Sequence, residues 1–187
     1  MSREKRGESH NMNKLLVVID MQNDFINGAL GTAEATRIVD NVVDKIKSFE
    51  GDVVYTKDSH TADYLKTHEG RKLPVQHCLK GTDGWRLHPD IEKLFLDKQC
   101  KGFEKYGFGS KELPLWIEKN YPDGLEEIVL VGLCTDACII TNAMTLKTFF
   151  PETDITVDAS CCAGISPEGH NTALNSMKTC QINVINE

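Results

Sequence analysis

The sequence predicts an α/β fold: a single domain built as a doubly wound parallel sheet with helices on both faces. Three observations lead there. Short apolar runs alternate along the chain with stretches of helical period. The runs are continuously apolar rather than alternating, as strands buried on both faces must be. Two of them end on a carboxylate, Asp20 and Asp58, and a third stops at Gly132 and leads directly to Cys138. Reactive side chains thus gather at strand carboxyl ends, where open parallel sheets bind their ligands.

Residues 1–13 are polar and charged, with no apolar stretch, and are expected to form a flexible N-terminal tail outside a domain of residues 14–187. Lys14 to Asp20, KLLVVID, reads as a central strand. A connection rich in Asn, Asp and Gly follows to Gly31. From Thr32 to Phe49 the residues Ile38, Val42, Val43, Ile46 and Phe49 recur at helical spacing, with Thr32 placed to cap. Asp52 to Asp58, DVVYTKD, is a second strand. Ser59 to Pro89 is long, polar and rich in His and Gly, and a loop of that length in a compact domain is usually functional. A short helix at Ile91 to Phe95, a third strand at Gln99 to Phe103, a helix at Leu113 to Asn120 and a turn at Tyr121 to Gly124 come next. Ile128 to Val131 is the strand that turns at Gly132 into a helix from Asp136 to Phe149. A strand at Ile155 to Ala159, a helix at Pro167 to Cys180 and a last strand at Ile182 to Ile185 complete the chain.

Composition narrows the function classes. The net charge of −7 disfavours a nucleic-acid or anionic-membrane surface, and no apolar run approaches the length of a membrane span. The expected partners are small molecules or further copies of the chain. Seven cysteines, an odd number with no C-x-x-C pair and no signal peptide ahead of them, point to free thiols in a reducing cytoplasm. Cys161-Cys162 read as packed thiols, His88 as structural and His170 as a surface residue.

The strand-to-helix turn at Gly132 to Cys138 carries the most chemistry. A helix N-terminus offers unpaired N–H groups and partial positive charge, which lowers a cysteine pKa and can hold an oxyanion. Cys138 is therefore the candidate nucleophile; the competing reading is a small buried apolar residue. Asp58-Ser59-His60, His68-Glu69 and His77 are the residue types of a divalent-metal site. Against this stands a polar loop whose scattered histidines bind nothing.

At Asp20-Met21-Gln22-Asn23-Asp24-Phe25, with Gly132-Leu133-Cys134-Thr135-Asp136-Ala137-Cys138 and an Asp-x-His after the second strand, the sequence resembles the isochorismatase-like cysteine hydrolases, and within them the nicotinamidases. The resemblance spans nearly everything from Lys14 to Asn186. It implies Asp20 as catalytic acid and base, Cys138 as nucleophile and a catalytic lysine at Lys105, with Lys101 as the competing choice. It implies a cis Leu133–Cys134 peptide and an oxyanion hole from the backbone N–H groups of Cys134 and Cys138. It further implies a divalent ion, zinc with iron or manganese as alternatives, held by Asp58, His60, Glu69 and His77, with His68 equally able to replace Glu69. Phe25, Leu133 and Tyr106 would form the substrate pocket, and Trp85 or Phe108 could supply another wall; for each aromatic the alternative is core packing.

The implied reaction hydrolyses nicotinamide to nicotinate and ammonia through a thioester on Cys138, a step of NAD salvage in a homo-oligomeric enzyme. Two alternatives stand beside it: a relative acting on an N-carbamoyl, ureido or other small amide, and a catalytically silent binding or redox module. Two positions depart from the pattern: Pro74 stands where many nicotinamidases have tryptophan, and Ala137 where many have histidine.

Overall fold

The computed structural model describes residues 13–187, so the tail expected over residues 1–13 lies outside the described residues except for Asn13, whose carbonyl already accepts the Glu126 amide at 2.8 Å. Strands β1 (Lys14–Ile19), β2 (Asp52–Asp58), β3 (Lys101–Lys105), β4 (Glu127–Leu133), β5 (Asp154–Ala163) and β6 (Asn183–Ile185) form one sheet in the order β3-β2-β1-β4-β5-β6. All its pairings are parallel. The chain winds outward from β1 to β3, returns to β4 beside β1, and winds outward the other way. The switch between β1 and β4 is where such a sheet opens a crevice at its carboxyl edge.

The helices are α1 (Asn23–Ile26), α2 (Ala33–Arg37), α3 (Val39–Ser48), α4 (His68–Lys72), α5 (Pro89–Asp97), α6 (Glu112–Asn120), α7 (Ile140–Phe149) and α8 (Pro167–Thr179). They cover both faces. Leu15, Val17 and Ile19 of β1 pack with Leu113, Ile117, Ala143, Leu146, Leu174 and Met177 from α6, α7 and α8. Leu16 and Val18 point the other way, into a core with Ala35, Val39, Val42, Ile46, Ile91 and Phe95. Residues Leu15 to Ile19 are all 0% exposed, which is why this strand has no polar alternate. Burial of each such side chain contributes about 1.5–3 kcal/mol.

The elements differ from their sequence expectations at identifiable points. The expected helix at 32–49 is two helices, α2 closing and α3 opening at Ile38, with Thr32 capping α2 by accepting the Ala35 amide at 3.0 Å. The third strand begins and ends two residues later than expected. The polar stretch after β2 contains a 3₁₀ turn, Tyr64–Lys66, as well as α4. The helix after β4 starts with a π-helical turn, Thr135–Ile139, before α7. Gly132, near the end of β4, has φ 117°, and a Cβ there would lie 2.1 Å from the Ile19 carbonyl oxygen, so this position requires glycine. Cys161 and Cys162 are buried free thiols. Among the described residues no helix is long and apolar enough to cross a membrane.

Candidate active site

Three strand ends deliver the candidate reacting groups. Asp20 follows β1 in the left-handed region, φ 48°, uncommon for any residue but glycine. Its Oδ1 accepts the Thr56 hydroxyl at 2.7 Å. The Lys105 ammonium, at the end of β3, lies 2.6 Å from Asp20 Oδ2. That contact is an ion pair without a well-aligned hydrogen bond, and among the described residues Oδ2 has no other donor. The same ammonium lies 3.4 Å from Cys138 Sγ and donates to Asp58 Oδ1 at 3.3 Å and to the Gly107 carbonyl at 3.0 Å. Lys105 stands opposite Asp58 in the β2–β3 ladder, so the sheet register itself puts the ammonium beside that carboxylate. Lys101, at the far end of β3, is exposed and reaches over the Phe103 ring at 5.5 Å. Of the two lysines only Lys105 meets the thiol.

Cys138 lies in the π-helical turn, 4% exposed, and the Leu133–Cys134 peptide is cis. Its surroundings are tied down by Asn142, which the sequence did not single out, and by Thr135, Asp136 and His170. Asn142 donates to the Cys138 carbonyl at 2.8 Å and to the Phe108 carbonyl at 3.1 Å, while its Oδ1 accepts the Ser110 amide at 2.9 Å. Thr135 Oγ1 and His170 Nδ1 are 2.7 Å apart, and Asp136 Oδ1 accepts the Ile165 amide at 2.9 Å. His170 is thus not a surface residue. It is half-buried against the nucleophile turn, because α8 begins directly beside that turn.

Electrostatics modify the expectation of a low-pKa thiol. Burial, with the Asp20 carboxylate beside it, pushes the Cys138 thiol well above its usual range, against the pull of Lys105. Desolvation is the largest cause. Burial also raises Asp20, again opposed by Lys105. Burial opposes the charge of Lys105, but Asp20, Cys138 and Asp58 around it hold the ammonium above its ordinary range. Cys134 is pushed up to about 12 by burial. The arrangement sets the Cys138 thiol and the Asp20 carboxylate on the same lysine ammonium.

Next to these groups Asp58, His60, Glu69 and His77 each offer a ligand atom within 4.8 Å of one another. His60 Nε2 is 2.9 Å from Asp58 Oδ2 and 3.7 Å from Glu69 Oε1. His77 Nε2 is 3.5 Å from Asp58 Oδ2 and 3.8 Å from Glu69 Oε1. The His77 Nδ1 faces the Val75 carbonyl at 2.8 Å, an outer hydrogen bond that directs Nε2 inward. Two imidazoles and two carboxylates at this spacing fit a divalent ion of the zinc, iron or manganese type. His68 stays exposed on the cleft wall. Tyr64, fully buried, stacks edge-on to both ligand rings at 4.7 and 5.0 Å, and Phe25 leans on His77 at 5.5 Å.

A cleft of about 560 Å³ opens beside this cluster, bounded by His60, Glu69, Leu73, Tyr106 and Phe108 among others. Tyr106 is 72% and Phe108 51% exposed at its rim. Leu133 is wholly buried in the core under α1 to α3. Trp85 does not line the cleft: its indole donates to Ser59 Oγ at 2.8 Å and lies under the Lys57 ammonium.

Comparison with known proteins adds four findings. A family model described as the isochorismatase domain matches residues 14–187. The nicotinamidase/pyrazinamidase of Mycobacterium tuberculosis is 26% identical over 188 residues, covering 92% of this chain and 98% of that protein. Among solved structures, the nicotinamidase PncA of Bacillus subtilis matches with a TM-score of 0.80 and 28% identity over 94% of this chain and 100% of that one. The pyrazinamidase of Pyrococcus horikoshii, solved in complex with zinc, matches with a TM-score of 0.76 and 24% identity over 94% of this chain and 99% of that one.

Proposed function

The chain belongs to the isochorismatase family, and from that premise we propose that it is a metal-assisted cysteine amidohydrolase converting nicotinamide and water to nicotinate and ammonia. One observation carries the reading: a single lysine ammonium contacts the Asp20 carboxylate, the Cys138 thiol and, through Asp58, the edge of a four-donor metal cluster.

As the thiol sulfur attacks the carboxamide carbon, Asp20 takes its proton; burial raises the proton affinity of this carboxylate, and the Lys105 ammonium 2.6 Å from Oδ2 opposes it. The new C–S bond puts negative charge on the carbonyl oxygen, where the Cys134 and Cys138 amides stabilise it. Asp20 then gives the proton to the departing nitrogen, the C–N bond breaks and ammonia leaves a thioester on Cys138. A water, deprotonated by Asp20, attacks the thioester, and the C–S bond breaks to release nicotinate. The Cys138 sulfur recovers the proton. Lys105 keeps its charge throughout and holds Asp20 in place.

Asp58, His60, Glu69 and His77 would hold the divalent ion, and its chemistry there is to fix a ring nitrogen of the substrate so that the amide meets the thiol. Zinc suits these donors, with iron or manganese as alternatives. Tyr106 and Phe108 would close over the ring, and Phe25 would support it from below through His77. A second reading, another small amide such as an N-carbamoyl compound, is favoured by Pro74 and Ala137, which remove two groups expected to hold a pyridine ring. The resemblance also carries the expectation of a homo-oligomer, read by sedimentation.

The deciding experiment is ammonia release from nicotinamide, with metal analysis of the same sample. Steady release that is lost in Cys138→Ala and after thorough chelation is the expected result. Turnover that survives the Cys138 substitution would remove the thioester route, and turnover indifferent to chelation would remove the metal. Release from N-carbamoyl amides but not from nicotinamide would select the second reading.

A further inference from the structure

The segment after β1 places polar side chains where the reaction does not use them. Gln22 is 0% exposed, yet fully hydrogen-bonded. Its Oε1 accepts the Asp58 amide at 2.7 Å, and its Nε2 donates to the Asp58 carbonyl at 2.8 Å and the Trp85 carbonyl at 2.9 Å. One side chain therefore grips both the N–H and the C=O of a metal-ligand residue. Two residues on, Asp24 Oδ2 accepts the amide of Cys78 at 2.7 Å, next to His77, while Oδ1 accepts the Ala29 amide at 3.2 Å. Gly84 packs so close that a Cβ would lie 2.2 Å from Asp24 Oδ2. Two of the four donor residues thus hang on main chain that Gln22 and Asp24 hold.

We infer that Gln22, assisted by Asp24, is the positioning residue of the metal cluster and sets its affinity for a divalent ion. The inference rests on reading Asp58, His60, Glu69 and His77 as a metal site. Asp58 has to keep Oδ2 towards the two histidines while Oδ1 faces Lys105, so a small rotation of its main chain spoils both contacts. Without Gln22, the two buried backbone groups of Asp58 and the part-buried Trp85 carbonyl lose a partner, and the segment relaxes to find others. Removing outer groups that hold metal ligands typically lowers affinity ten- to hundred-fold.

The test is zinc affinity, measured on chelator-stripped protein by competition with a chromophoric chelator. Gln22→Met, close in shape but unable to make the three bonds, should bind zinc ten- to hundred-fold more weakly than the wild type. Excess zinc should restore much of its turnover. Leu174→Ala, a cavity in the opposite layer, should lower Tm without moving zinc affinity. An unchanged affinity in Gln22→Met, an equal loss in Leu174→Ala, or a wild type that binds no zinc would overturn the inference. If Gln22→Met fails to fold, Asp24→Asn is read in the same way, with about a ten-fold loss expected and an unchanged affinity overturning it. Binding is read without substrate. A wild type that binds zinc but leaves nicotinamide intact sinks the proposed reaction alone, whereas normal turnover with an affinity indifferent to Gln22 sinks this inference alone.

Discussion

At the scale of single residues the site is decided by what surrounds each charge. Lys105 and Lys101 are chemically identical and four positions apart, yet one is 3% exposed among two carboxylates and a thiol and the other points to solvent. Lys105→Met should lower kcat by orders of magnitude, because it leaves Asp20 as a buried carboxylate without its cation and takes the ammonium away from the thiol. Lys101→Met should leave kcat within about two-fold, as an exposed side chain away from the reacting atoms. Steady-state kinetics of the two variants settle the choice, and a normal rate for Lys105→Met would remove it from the mechanism. Asp20, Asp58 and Cys138 were legible because each follows an apolar run that stops abruptly. Thr56, inside the second strand, was not singled out, because its partner, Asp20, follows another strand. Tyr64 and Asn142 had no local signal at all. Their roles come from carbonyls at Leu73 and Phe108 that only the folded chain brings near.

At the scale of elements, legibility follows burial. The central strand was readable to within a residue because both its faces need apolar side chains. The edge strand β3 was displaced by two positions because only Phe103 and Lys105 of its five residues are buried, which leaves little period to read. Gly102 in that strand exists because Tyr55 comes so close that a Cβ would lie 2.4 Å from its ring, again a contact between strands. Helix α3 is bound to β5 by Lys45 Nζ, 2.7 Å from Asp158 Oδ2. Burial opposes the charge of Asp158, but hydrogen bonds from Lys45, Asn186 and Ser160 hold its carboxyl below its ordinary 3.8. A depressed folded pKa stabilises the protein above pH 3.8, and that contribution is lost as the pH falls through the folded value. Asp158→Asn should therefore cost about 2 kcal/mol near pH 7, with its Tm converging on the wild type below about pH 4. Thermal melts across that range check this, and a Tm difference constant with pH would refute it.

At the scale of the whole molecule, one sheet separates two apolar layers, and the reacting groups lie along its carboxyl edge. The alternation of strands and helices foretold the layers, but the strand order with its switch between β1 and β4 is a long-range property that no local pattern encodes. Ile46 of α3 is 0% exposed in the layer that does not carry Cys138. Ile46→Ala should lower the unfolding free energy by about 2–5 kcal/mol while leaving turnover per folded molecule unchanged. Denaturant titration with kinetics on the same sample separates the two effects, and a kcat falling in step with stability would mean that the layers are not independent. Asp58 turns one oxygen to the ligand histidines and the other to Lys105. On the proposed metal site, its replacement would remove one donor of the cluster and unbalance the lysine in the same event. Evolutionary drift from this chain towards a metal-free descendant is therefore barred from passing through Asp58 first: a lineage would have to retire the histidines and re-seat the lysine before that aspartate became free to change.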